Sequence, residues 1–255
     1  MIRIIHRISI SQTSVLVKNQ QDLFQINRNK SFCIFLRILC SQFLTFQDKI
    51  SENQNFTVRV FRANDSFLII YSKYPMAHIK LLNEELPGIT GLLNYRPETA
   101  KSLLNLAETL LRSESTLTSG ERELIASYVS HLNGCHFCHT SHGAAAAAHL
   151  QCDLDLIDDI KQNFATTGIS PKLRALLNIA AKVQKGGKNV LPEDITLARN
   201  EEATDKEIHD TVLIAAAFCM FNRYVDGLGT FAPKENEAYR QMGEMMAFAG
   251  YNRPR

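Results

Sequence analysis

The stretch TSGERELIASYVSHLNGCHFCHTSHGAAAAAH, residues 118–149, decides the fold. Its first residues, Thr118-Ser119-Gly120-Glu121, have the spacing of a capping box, in which a hydroxyl and a carboxylate three residues apart each satisfy a free backbone N–H of the helix start. They predict a helix to about Leu132, and Asn133-Gly134 stops it. A second helix then opens at Cys135 and runs through Ala144 to Ala148. That alanine run supplies a face without bulk, against which a neighbouring helix can approach closely.

Outward from this hairpin the chain keeps reading as helices punctuated by turn residues. On the N-terminal side, Pro97 occupies a first helical position, followed by Leu103, Leu104, Leu106, Leu110 and Leu111 at three- and four-residue spacings. On the C-terminal side, a helix is expected over Asp155–Ala165, and Ser170-Pro171 opens another that ends at Gly186-Gly187. A short one starts at Pro192. Thr204-Asp205-Lys206-Glu207 repeats the capping-box spacing before a long apolar helix to about Val225, and a last helix spans roughly Glu235–Phe248. With no convincing strand alternation after Met76, the fold class is an all-α bundle of about seven helices.

Residues 1–75 are different. They are rich in Gln, Asn, Ser, Ile and Phe, carry ten basic and four acidic side chains, and leave 18 basic and 22 acidic for the rest of the chain. The run Phe67-Leu68-Ile69-Ile70-Tyr71 is strand-like, but the stretch does not read as an organised domain. We expect a poorly structured extension over 1–75 and a helical domain over 76–255. The extension has three readings: a transit segment within residues 1–30, an appendage, or an over-extended reading frame, favoured because the composition breaks beside Met76. Its most apolar window, Ser31 to Phe46, is interrupted by Arg37 and shorter than the ~20 residues that a spanning helix needs. The whole chain, 255 residues with a formal net charge of +2, has the composition of a globular protein and lacks the basic excess of a nucleic-acid binder. No membrane association and no nucleic-acid partner are expected.

The chemistry is concentrated around Cys135-His136-Phe137-Cys138-His139-Thr140-Ser141-His142. Five of the eight histidines in the chain, His131, His136, His139, His142 and His149, fall within nineteen residues beside two cysteines. At about 100° per residue, Cys138 lies about 60° from Cys135 with His142 between them, so two thiols and an imidazole converge on one helical face. A helix start favours an anion, and a C-x-x-C pair there commonly has one thiol of lowered pKa. His142 can accept or pass on the proton, and Glu123, on the preceding helix, is the acid best placed to orient it. Adjacent thiols also allow a sulfenic acid on one to be captured by the other as a disulfide. The alternatives are a structural zinc site using Cys135, Cys138 and His142 with His139 or His131, or two inert core cysteines. Cys152 and Cys219 read as core residues, as does the Phe218/Phe221/Tyr224 stripe, or else as subunit interface; charged runs near Asp153–Lys161 and Glu201–Asp210 read as solvated faces.

At these residues the sequence resembles the alkylhydroperoxidase D-like (AhpD-like) branch of the carboxymuconolactone decarboxylase superfamily, particularly its peroxidase-related members. The pattern is a Glu, eleven residues, then C-x-x-C-x-x-x-H, matched by Glu123, Cys135, Cys138 and His142 at every spacing. Phe221-Asn222-Arg223-Tyr224-Val225-Asp226 also looks like that group, and the likeness spans roughly Met76 to Gly250. It implies an all-helical AhpD-like bundle assembling as homo-oligomers, commonly trimers or hexamers, and a peroxide-reducing cycle with no cofactor and no metal. In that cycle Cys138 attacks the hydroperoxide, Cys135 resolves the sulfenic acid, Glu123 and His142 relay the proton, and a dithiol reductant of lipoyl or thioredoxin type reopens the disulfide. One departure stands out: Phe137 occupies the position where well-known members carry a second relay histidine. His136 points about 100° away from it on the helix, leaving His139 as the candidate replacement. A lactone decarboxylase-type lyase and a redox sensor that reacts once are the competing functions. The vicinal thiols favour a reducing compartment, the cytoplasm, or the mitochondrion if the transit reading of residues 1–30 holds.

Overall fold

The structure, a computed structural model, describes residues 6–9, 57–63, 66–72 and 77–252. The chain divides into two units, Met1–Met76 and Ala77–Arg255. In the first, strands β1 (His6–Ser9), β2 (Thr57–Ala63) and β3 (Ser66–Ser72) form an antiparallel sheet in the order β1-β3-β2. Ala63 pairs with Ser66 and Thr57 with Ser72, so β2 and β3 are a hairpin in register along their length. The strand-like run Phe67–Tyr71 lies within β3. The apolar window Ser31–Phe46, with Cys33 and Cys40, lies outside the described residues.

The second unit is all-helical, with nine α-helices among the described residues: α1 (Gly88–Tyr95), α2 (Pro97–Arg112), α3 (Ser119–Leu132), α4 (His136–Leu150), α5 (Leu154–Asn163), α6 (Pro171–Lys185), α7 (Pro192–Asn200), α8 (Asp205–Gly227) and α9 (Asn236–Ala249). The local signals account for most of the boundaries. Thr118 and Thr204 each accept from the backbone N–H three residues on, while Glu121 and Glu207 accept from the cap residue, completing both boxes. Each such cap stabilises its helix by about 1 kcal/mol. Ser170 caps α6, and Gly186, at φ +150°, ends it. The helix that sequence reading omits is α1. Its GITGLLNY has neither a hydroxyl cap nor two full turns of apolar period, and Pro87 precedes it without a side-chain bond.

The core explains the order of layers. Helix α8 is apolar over most of its length, which favours burial, and it runs against α3, α6, α1 and α2. Leu124, Ile125, Leu176, Leu177, Ile179, Ile214 and Phe218 are buried in the shared core; each fully buried large side chain contributes roughly 1.5–3 kcal/mol. Helix α4 packs mainly on α3 and α9. Where α9 crosses, a Cβ on Gly243 would lie 2.5 Å from the Ala144 Cβ, so the alanine run and this glycine together set the close approach.

Two runs expected to be solvated surface are partly interior. Glu207 is buried and its carboxylate meets Lys172 Nζ at 2.9 Å. Lys161 is buried as well, its amine bound to Asp158 at 2.5 Å. In each case the charge is held by a partner, which is what allows the burial. Cys152 and Cys219 are half-buried and pack against the main core. Among the described residues, no helix is long and apolar enough to cross a membrane.

Candidate active site

The α3–α4 hairpin is locked before any reactive group is considered. Ser127 Oγ on α3 donates to the His139 carbonyl on α4 at 2.7 Å, and Asn222 Nδ2 on α8 donates to Ser130 Oγ at 3.0 Å. Asn133, at the corner, donates to Asn222 Oδ1 at 2.7 Å. Gly134 takes φ +74°, and Cys135 follows as the N-cap of α4. The turn therefore delivers Cys135 to the helix start and Cys138 to its first turn.

Both thiols are free and buried, in a small apolar cluster with Phe137, Val225 and Tyr239. They approach to 3.0 Å. The Cys135 thiol is pushed well up, chiefly because it hydrogen-bonds to Cys138, then by burial and by the negative charge that Cys138 can carry; a hydrogen bond to Asp226 adds to this. The helix-start argument therefore does not make Cys135 the ionised sulfur. Cys135 keeps its proton, and Cys138 is the sulfur it donates to.

Glu123 is fully buried on α3 and faces α4. Its Oε2 lies 2.7 Å from His142 Nδ1, while its Oε1 accepts from Arg112 Nη2 at 2.5 Å and from the Tyr251 hydroxyl at 2.6 Å. Burial alone would raise this carboxyl, but the charge and hydrogen bond of His142, the Arg112 guanidinium and the Tyr251 hydroxyl outweigh it and hold Glu123 below the usual range. An ionised Glu123 makes Nδ1 of His142 the protonated nitrogen, and leaves Nε2 to exchange a proton. The imidazole is wedged edge-on against Phe218, with ring centroids 4.6 Å apart.

Cys138 and His142 line one cavity of about 60 Å³. Its remaining wall is Ile89 and Leu93 from α1, Leu103, Leu104 and Ala107 from α2, Phe137 from α4, Phe218 and Phe221 from α8, and Tyr251. The space exceeds the ~10–15 Å³ that one water requires, and almost all of its surface is hydrocarbon. Phe218 and Phe221, expected as core or interface, are core residues that also face this cavity. Phe137 closes it against α1: at Gly88, where φ is +52°, a Cβ would fall 2.1 Å from the Phe137 ring.

Of the other histidines of the sequence cluster, His149 stays near the Arg112 and Glu123 charges, while His131, His136 and His139 group elsewhere. His139 lies 3.3 Å from Lys161 Nζ and stacks edge-on with His131 and His136 at 5.5 and 5.2 Å. Burial, then the Lys161 charge, push it down to about 4. It is not part of the cavity wall and does not replace a relay group at position 137. Arg223 is exposed and donates to the Cys219 carbonyl. Among the described residues, no group of three or more His, Cys, Asp or Glu is arranged to hold a metal ion.

Sequence reasoning named Glu123, Cys135, Cys138 and His142, and the fold brings all four together. It missed Arg112 and Tyr251. Arg112 is the last residue of α2, where a basic side chain reads as an ordinary partner of the helix dipole. Tyr251 lies beyond α9 in a turn with no periodicity to flag it.

Residues 97–159, which contain all four, match the carboxymuconolactone decarboxylase family. No curated protein is significantly similar to the chain. Among solved structures, the chain resembles the alkylhydroperoxidase AhpD core of an uncharacterized peroxidase-related protein from Ralstonia eutropha JMP134. The TM-score is 0.59 at 24% identity, over 67% of this chain and 98% of that one. It also resembles an uncharacterized peroxidase-related protein from Silicibacter sp. TM1040, with a TM-score of 0.55 at 25% identity over 60% of this chain and 78% of that one.

Proposed function

We propose that this chain, a member of the AhpD/carboxymuconolactone decarboxylase superfamily, is a cysteine-dependent peroxidase that reduces hydroperoxides through a Cys135–Cys138 thiol/disulfide cycle. The observation that carries the reading is the apolar cavity on which Cys138 and His142 meet, with His142 Nδ1 committed to a buried, ionised Glu123.

The cycle follows from the proton inventory. Cys138 gives its proton to His142 Nε2 and attacks the terminal peroxide oxygen; the S–O bond forms as the O–O bond breaks. The leaving alkoxide takes the proton back from His142 and departs as the alcohol, with Cys138 now a sulfenic acid. Cys135, a neighbour that has kept its proton, attacks the Cys138 sulfur; the S–S bond forms, and the hydroxyl leaves with that proton as water. A dithiol of lipoyl or thioredoxin type then reduces the disulfide by exchange and is itself oxidised. Glu123, with its three donors, orients the imidazole and stabilises its charged form rather than moving a proton itself. Such chemistry needs a reducing compartment, for which the cytoplasm is the reading. Leu213 and Met220, exposed on the apolar helix α8, support a homo-oligomer, with a trimer or hexamer expected.

The test uses reduced protein given one equivalent of peroxide at a time, alkylated and mapped by mass spectrometry, with and without dithiol. Rapid Cys135–Cys138 disulfide formation that repeats with every addition when dithiol is present is the expected result. A single oxidation that dithiol does not reset would make the protein a sensor, and unreactive thiols would remove the redox reading altogether.

A further inference from the structure

Tyr251 reaches the relay from outside both helices of the hairpin. Gly250 ends α9 at φ +65°, and a Cβ there would fall 2.8 Å from Glu108 Oε2. The same carboxylate oxygen accepts the Tyr251 backbone N–H at 2.6 Å and that of Asn252 at 3.3 Å. The turn is therefore pinned to α2 at its backbone, and only a glycine at 250 fits between. From that anchor the Tyr251 ring lies nearly parallel to the His142 imidazole, at 16° with centroids 6.1 Å apart, and the Arg112 guanidinium sits 5.0 Å over its centroid.

A phenylalanine would fill this space equally well, and burying a phenolic oxygen without a partner costs free energy. The oxygen is used. It lies 2.6 Å from Glu123 Oε1 and 3.3 Å from His142 Nδ1, and the one phenolic hydrogen goes to the nearer, charged acceptor. Burial, then the Glu123 charge, push the phenol well above its ordinary range, so it remains a donor wherever the relay operates. Glu123 thus divides its two oxygens: Oε1 takes Arg112 and Tyr251, and Oε2 is left for His142.

We propose that Tyr251 is a positioning residue of the relay: its hydroxyl, together with Arg112, occupies Oε1 of Glu123 so that Oε2 holds His142 with the proton on Nδ1 and Nε2 turned to the chemistry at Cys138. The role of Nε2 rests on the peroxidase reading; the arrangement of the carboxylate does not. The ionisable groups around the imidazole include Glu123 from α3, Arg112 from α2, Cys138 from its own helix and Tyr251 itself, with His149, further along α4, within reach of the Glu123 and Arg112 charges. Removing the hydroxyl leaves Glu123 with one donor fewer, a stronger acceptor that holds the His142 proton more tightly.

The experiment is a histidine-selective NMR titration of the full chain, with His142 assigned by its loss in H142Q. In Tyr251→Phe the His142 midpoint is expected to move upward by about one pH unit, roughly a tenfold change in proton affinity. The acid limb of single-turnover Cys138 oxidation should move the same way. Glu108→Ala, which keeps the hydroxyl but frees the turn, should shift the midpoint in the same direction by less. It carries the test if Tyr251→Phe does not fold. A wild-type midpoint and tautomer in a folded Tyr251→Phe protein would overturn the proposal, as would an unmoved midpoint in Glu108→Ala if that variant alone folds. If the wild type consumes no peroxide, the peroxidase reading fails while the titration still decides the role of Tyr251.

Discussion

His139 and His142 stand one turn apart on α4 and belong to opposite electrostatic worlds. His142 faces α3, where an ionised carboxylate takes its Nδ1, and it opens on an apolar cavity beside a thiol. His139 faces α5, where the nearest charge is the buried Lys161 amine, and two further imidazoles crowd it. One imidazole is tied to a carboxylate, and the other is denied its proton by burial and by a neighbouring ammonium. The density of histidines in the sequence therefore says little about which of them does chemistry; the sign of the nearest buried charge says much more.

Five substitutions press on that contrast, in descending order of effect. Cys138→Ser should abolish peroxide consumption in a dithiol-coupled assay, whereas Cys135→Ser should permit one oxidation and leave a sulfenic or sulfinic acid visible by mass. His142→Gln should slow Cys138 oxidation by about 10²-fold or more, the ordinary worth of a positioned acid–base group. Glu123→Gln should slow the same step and also destabilise the fold, by roughly 3–5 kcal/mol in a denaturant titration, because Arg112 loses its buried counter-charge. His139→Gln should leave turnover unchanged. Its effect is on the pH dependence of stability: folded His139 titrates near 4 against an ordinary 6.5, so between these values the unfolded chain binds a proton that the folded chain refuses. Stability should fall as pH drops through that window and level off below it, and His139→Gln should flatten the slope in a melting series. A His139→Gln enzyme with lost turnover would erase the contrast between the two faces.

The legible parts of the molecule are those written locally. The capping boxes at Thr118 and Thr204, the Asn133-Gly134 corner and the angular spacing of Cys135, Cys138 and His142 are all fixed within a few residues of sequence, and the fold reproduces them. Glu123 was reachable because an antiparallel hairpin brings the early turns of one helix opposite the later turns of the next. Arg112 and Tyr251 were not, since their partners are 11 and 128 residues away and their own neighbourhoods carry no signal. The burial of Lys161 and Glu207 was hidden for the same reason: each looks like one charge among many until its long-range packing is known.

Arg112 Nη2 also donates to the Met246 carbonyl at 2.9 Å, in the last turn of α9. The guanidinium thereby ties the Glu123 carboxylate to a helix that the ribosome makes about a hundred residues after Cys138. While the chain is still being synthesised, Glu123 lacks the Tyr251 hydroxyl and the Met246 brace on its cation, and the cavity lacks a wall. Cys138 and His142 are made early, but the brace on Glu123 is complete only when α9 and the turn behind it have docked. On the peroxidase reading, Cys138 therefore meets a fully braced Glu123 and His142 only in the finished fold.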